Sequence, residues 1–222
     1  MGRVFKNVGL VVSLTCWCLG TSSYADFISF DNPSEITIPS SGLASPYGSP
    51  IVVSGVTGTI ENITLSLNGL SHTWADDLGA VVVAPSGTSV MLFSGPGGFF
   101  RVSNLSLTFD DNAGAPLPDE GQLVSGTFQP GQEQYDDFYP APGPGGKLVD
   151  TDPAPWSYAF APLFSQDPNG TWNLFVLDSG PGDSGSISGG WGLTFQVTAV
   201  PEPSCLGLSA LLAWCPFLRR RS

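Results

Sequence analysis

Between residues 169 and 197 two strand-like segments flank a linker of Gly, Ser, Asp and one Pro. In the second segment Trp191, Leu193, Phe195 and Val197 alternate with Gly192, Thr194 and Gln196. A period of two marks a strand with one dry face and one wet face. The first segment, residues 171–177, is apolar on both faces, as a strand in the middle of a sandwich is. Asn169-Gly170 supplies the turn that feeds it.

The rest of the chain repeats these signals. Residues 27–30 and 35–38 read as short strands around an Asn32-Pro33 turn, and residues 40–50 as a Ser/Gly/Pro loop. In residues 58–67, Ile63, Leu65 and Leu67 alternate with Asn62, Thr64 and Ser66, and Asn68-Gly69 is expected to turn the chain. Residues 78–84 form a β-branched apolar run, hence a buried strand. Pro85-Ser86-Gly87 turns it into a partner over 89–93. Leu105, Leu107 and Phe109 mark the next strand, which ends at Asp110-Asp111. Residues 112–160 are dense in Pro and Gly with interleaved acidic and aromatic residues. They predict a long structured loop with one short strand near 125–128, and loops of that length are often functional. No segment has a helical period. Many short strands with Gly/Pro turns predict an all-β sandwich.

Both ends read as addresses rather than fold. Residues 1–25 have a basic start at Arg3 and Lys6, an apolar run too short to span a bilayer, and a small-residue end that predicts cleavage after Ala25. At the other end, Pro201-Glu202-Pro203 precedes a short apolar segment broken by Pro216, then Arg219, Arg220 and Arg221. Alone this segment is a poor membrane span, and the arginines are expected to stay on the cytoplasmic side. All four cysteines lie in these end segments, so residues 26–200 form one domain held by packing or metal rather than disulfides.

That body is strongly acidic. It holds eighteen of the nineteen acidic residues against Arg101 and Lys147. Such a surface repels nucleic acid and anionic membrane. Its aspartates sit in Gly-rich turns beside strands, amid plentiful aromatic and aliphatic residues, a pattern suited to a calcium-ready exported protein.

Two resemblances follow from these residues. The Pro-Glu-Pro triplet, short apolar segment and terminal arginines resemble the PEP-CTERM sorting signal of Gram-negative bacteria. That implies processing by an exosortase, transient contact with the inner membrane, and delivery to the cell surface or extracellular matrix. The series LSHTWADDLGAVVVAPSGTSVMLF, LTFDDNA and NGTWNLFVLDSGPGDSGSISGGWGLTF is similar to the P domain (Homo B domain) of proprotein convertases and bacterial subtilisin-like proteases, over roughly residues 50–198. It implies a jelly-roll-like β-sandwich of about eight antiparallel strands. Those proteases carry a separate subtilisin domain, for which a chain of this length is not expected to have room. The acidic Pro/Gly loop is also longer than in the convertases.

The chemistry on offer is mostly refused. Gly182-Asp183-Ser184-Gly185, with His72 and Asp76 or Asp77 upstream, spells a serine-protease order. In a Gly-rich hairpin these four are also ordinary turn residues, and the P-domain resemblance gives His72 a structural place. One histidine and no body cysteine make a zinc site a poor expectation. The carboxylates are the better candidates. Asp77, Asp110, Asp111 and Asp178 stand at strand ends and, if they converge, are expected to hold Ca²⁺; the alternative is that they are solvated turn-formers. Trp172 and Trp191 are expected in the core. Trp156, Tyr135, Tyr139 and Tyr158 are expected either as exposed stacking residues or as anchors for the long loop.

The expected function is an exported, non-catalytic P-domain-like module sorted by an exosortase-type processing enzyme, with an extracellular polysaccharide or surface protein as partner. The alternatives are a calcium-dependent carbohydrate-binding jelly roll and a protease-associated domain, serine endopeptidase by family association alone.

Overall fold

The computed structural model describes residues 25–146 and 153–198. The expected signal segment up to residue 24, Pro201, Glu202 and Pro203, and Arg219, Arg220 and Arg221 lie outside the described residues. Ala25, where cleavage is expected, is the first described residue and pairs with Thr198.

Among the described residues, eight strands have five or more residues: β1 (Ala25–Asn32), β2 (Ser49–Val53), β3 (Ile60–His72), β4 (Leu78–Val83), β5 (Ser89–Ser94), β6 (Val102–Asp110), β7 (Gly170–Asp178) and β8 (Trp191–Thr198). They pair antiparallel in a nested order: β4 with β5, β3 with β6, β2 with β7 and β1 with β8. Cross-pairs of β8 with β3 and β7 with β4 complete two four-stranded layers, β1-β8-β3-β6 and β5-β4-β7-β2. This is a hairpin of hairpins rolled into a sandwich, the jelly roll. The fold class expected from the sequence is therefore the one observed.

Alternation decides what lies between the layers. Ile63, Leu65 and Leu67 of β3 and Leu193, Phe195 and Val197 of β8 are buried, while the residues between them are mostly less so. The layers meet through Trp172 of β7 and Phe195 of β8, whose ring centroids are 5.3 Å apart. Phe93 and Phe109, from β5 and β6, meet at 5.8 Å.

The double-faced apolar pattern of β7 has a further cause. Val81, Met91, Phe175 and Leu177 form a second buried cluster with Tyr139 and Trp156 of the long loop. Tyr139 meets Trp156 edge to face at 5.7 Å. The loop thus dries the second face of its sheet. It also covers the edge of β5: Met91 N–H donates to Ser157 O, Ser157 N–H to Ser89 O, and Gln132–Glu133 pairs in parallel with Phe93 and Ser94. An unpaired edge there is a template for aggregation, so the covering is itself stabilising design. The loop's expected short strand is Gly126–Phe128, parallel to β6.

Three local expectations are corrected. Asn68-Gly69 does not turn the chain, because β3 runs on to His72. Gly69 instead takes φ +76 where the register against β6 slips, a bulge that bends the strand without ending it. The loop expected over residues 40–50 is not all coil either, since Gly42–Leu43 pairs with β7 and Ser49 opens β2. The linker before β8 carries a short strand, Gly185–Ile187, which pairs with His72, Ser71 and Leu70 on the extension of β3.

Candidate functional site

That extension ends in the most polar buried pair of the described residues. His72 closes β3 and Asp178 closes β7, so the two sheets bring them together at one end of the sandwich. His72 Nε2 lies 3.1 Å from Asp178 Oδ2, and both side chains are fully buried. His72 Nδ1 lies 2.7 Å from Trp74 O. The Trp74 N–H also lies 3.2 Å from Nδ1, so the Trp74 backbone engages this nitrogen through both its polar groups. Asp178 Oδ1 accepts from Gly180 N–H at 2.9 Å. Burial pushes the Asp178 carboxyl up and His72 pulls it back, with Asp183 adding to the rise.

Asp77 ends the short 3₁₀ turn Ala75–Asp77 and stands beside this pair. Its carboxyl is pushed up by burial first, then by Asp178 and Asp183. Its carbonyl accepts from Ser179 N–H (2.8 Å) and Ser179 Oγ (3.1 Å), which locks the β7 exit to the β4 entry. Gly180 lets the Asp77 carboxylate lie against its backbone, where a Cβ would push that carboxylate aside.

A cleft of about 390 Å³, lined by Asp77, Tyr135, Asp136, Asp137, Ser179 and Gly180, opens on this end. Asp136, Asp137 and Ser179 also line an adjoining lobe of about 250 Å³ that reaches Asp178. Asp137 is 5% exposed, and burial raises its pKa to about 6 against the weaker pull of Ser94 and Tyr139. A folded-state pKa above the unfolded value means that the native state holds the proton more tightly. The associated stability is full below about pH 4 and lost as pH rises through about 6. A rise of about two units corresponds to roughly 3 kcal/mol. Asp137→Asn is therefore expected to be more stable than the parent at pH 7.5 by up to that order, and equal to it at pH 4, by urea unfolding. An equal difference at both pH values contradicts this.

The four aspartates expected to hold calcium do not converge. Asp77 and Asp178 are together, but Asp110 pairs opposite Thr64, eight residues along β3 from His72 and roughly 25 Å away. Asp110 and Asp111 are bonded locally where they stand. Asp110 Oδ1 accepts from Asn112 N–H and its amide at 2.9 and 3.1 Å. Asp111 accepts from Phe160 N–H and Ala161 N–H, both at 2.8 Å, and so fixes the loop's return to the domain. They are turn and cap residues. Among the described residues, no group of three or more His, Cys, Asp or Glu side chains has the geometry to hold a metal ion.

The serine-protease order is likewise not assembled. Both His72 ring nitrogens are engaged by Trp74 and Asp178, whereas Asp76 accepts from Tyr135 Oη at 2.7 Å. That bond, with burial, raises the Tyr135 phenol to about 12. Ser184 sits in the turn before Gly185–Ile187, bonded through its backbone to Thr73. Of the loop aromatics, Tyr139 and Trp156 are interior anchors. Tyr135 and Tyr158 are exposed, each with its hydroxyl on a carboxylate, Asp76 and Glu133. Sequence reasoning missed the His72–Asp178 pair and Asp137. The available signal was that the chain's single histidine and an aspartate each end a strand.

A 107-residue stretch of the chain is 35% identical to part of Leupeptin-inactivating enzyme 1 of Streptomyces exfoliatus, covering 48% of this chain and 24% of that protein. The match thus spans about a quarter of the relative's length. No family model matches the chain. No solved structure matches it either.

Proposed function

We propose that the chain is an exported, non-catalytic sandwich module of the P-domain type, delivered by its PEP-CTERM-like tail to the cell surface or extracellular matrix. One observation carries the non-catalytic part: His72, the chain's single histidine, has both ring nitrogens bound within the fold. An activated serine needs a base with a free nitrogen in reach, and none is left for Ser184. The Pro201-Glu202-Pro203 triplet and Arg219–Arg221 support the sorting part, with an exosortase-type enzyme as the processing partner and a polysaccharide or surface protein as the final one. The similarity to part of Leupeptin-inactivating enzyme 1 favours a second reading, an accessory module working beside a larger enzyme.

The test uses the full chain in a Gram-negative host that has an exosortase. The parent is expected at the cell surface or in the medium without its tail. Alanines at Pro201, Glu202 and Pro203 are expected to hold it uncut in the inner membrane. A serine-directed covalent probe is expected to leave Ser184 unlabelled in both. Normal release of the alanine variant contradicts the sorting reading, and labelling abolished by Ser184→Ala contradicts the non-catalytic one.

A further inference from the structure

The end of β3 also has an outer face. His72 pairs with Val102 of β6 on one side and with Gly185 of the short strand Gly185–Ile187 on the other. Residues opposite one another share a face, and His72 and Val102 are buried. Their neighbours along each segment therefore point outward: Ser71 and Thr73, Arg101 and Ser103, Ser184 and Ser186. All six line one cleft of about 220 Å³. Its frame is held by local bonds, since Ser71 Oγ accepts from Asn104 N–H at 2.9 Å and Thr73 Oγ1 from Ser184 N–H at 3.2 Å. No such bond engages the Ser103, Ser184 or Ser186 hydroxyl among the described residues.

Unlike the two clefts described above, this one has no carboxylate in its lining. Arg101 is the only lysine or arginine among the described residues, in a body with eighteen acidic side chains. Gln122 Nε2 donates to Arg101 O at 2.8 Å and so holds its backbone. Its side chain is exposed, and no carboxylate pairs with the guanidinium among the described residues. Exposed rings adjoin the cleft. Trp74 directly follows Thr73 and Phe100 directly precedes Arg101, and Ala75 N–H donates to Phe100 O at 3.1 Å. Trp74 is 40% and Phe99 59% exposed, with ring centroids 6.1 Å apart, and Phe99 stacks on Phe100 at 4.5 Å.

These parts fit one class of ligand. Serine hydroxyls both donate and accept, as the hydroxyls of a sugar do. Exposed aromatic rings match the apolar C–H face of a sugar ring. A free guanidinium fork matches a carboxylate. An acidic peptide would use the guanidinium and leave the row of hydroxyls without a role. The rest of the body repels a dense polyanion beyond the screening length of about 8 Å, so isolated carboxylates on a largely neutral chain fit best. We propose that this cleft binds a uronate-bearing polysaccharide. Arg101 takes the sugar carboxylate, Ser103, Ser184 and Ser186 take sugar hydroxyls, and Trp74 and Phe99 form the stacking platform. The inference rests on the module reading above and names its partner.

The test is calorimetric titration of the purified full chain, in chelator, with two probes. One is a xylo-oligosaccharide bearing a single glucuronic acid, the other a hyaluronan tetrasaccharide. Saturable binding of at least one is expected. The same probe with its carboxyl groups reduced to alcohols is expected to bind about tenfold more weakly or worse. Arg101→Gln is expected to abolish that difference, and Phe99→Ala to weaken both forms alike. Both residues are exposed, so neither change threatens the fold. Phe27→Ala, which alters an equally exposed aromatic on β1, is expected to leave binding unchanged. Hexaglutamate is expected not to compete. No saturable binding of either probe overturns the proposal. So does equal binding of the acidic and reduced forms, an affinity that Arg101→Gln leaves intact, or competition by hexaglutamate. None of these results touches the fate of the tail or the labelling of Ser184, so the module reading stands or falls separately.

Discussion

Trp172→Ala is expected to cost on the order of 3–5 kcal/mol, the range for deleting a large aromatic from a packed core. The indole of Trp172 is wholly buried, crosses from one sheet to the other against Phe195, and donates Nε1–H to Pro168 O at 2.9 Å. Truncation opens a cavity and strands that carbonyl, and neighbouring strands fixed on both sides cannot collapse into the space. Trp191→Ala is expected to behave alike, because its ring is equally buried and its Nε1–H donates to Ser49 Oγ at 3.1 Å. For a domain of this size the fall in melting temperature is roughly 10 °C or more. A loss under about 1 kcal/mol in denaturant unfolding contradicts the core assignment.

His72→Ala is expected to cost about as much for a different reason. Asp178 is 2% exposed and keeps a single further bond, from Gly180 N–H. Without the imidazole its carboxylate stays buried near Asp77 and Asp183. Breaking a buried pair from one side typically costs about 3–5 kcal/mol, well beyond the worth of the bond itself. Asp178→Asn removes the charge, keeps the shape and can still bond to Nε2, so it is expected to cost only about 1 kcal/mol. The two unfolding curves decide the matter. Equal costs contradict the view that the stranded charge, rather than lost packing, dominates.

The strands were legible because alternation is a local property. Leu65-Ser66-Leu67 and Leu193-Thr194-Phe195 declare their buried face without reference to anything else. Asn68-Gly69 was misread because the same dipeptide serves a hairpin and a bulge, and only the partner strand distinguishes them. The calcium set failed for a related reason. Asp77, Asp110, Asp111 and Asp178 are all at strand ends, but which ends share an end of the sandwich depends on the pairing of β3 with β6 and of β4 with β7. No local pattern states that pairing. Tyr139 and Trp156 were ambiguous in a Pro/Gly loop until the apolar outer faces of Val81, Met91 and Phe175 showed what the loop must cover.

The central claim is that His72 belongs to the fold and does not activate Ser184. A chain with a single histidine gives one set of imidazole nitrogen resonances, so ¹⁵N spectra of the labelled protein report on it directly. The expected result is a ring protected from exchange with water, with both nitrogens at shifts unchanged by Ser184→Ala and altered by Asp178→Asn. A ring nitrogen that exchanges freely with water and shifts when Ser184 becomes alanine contradicts the account.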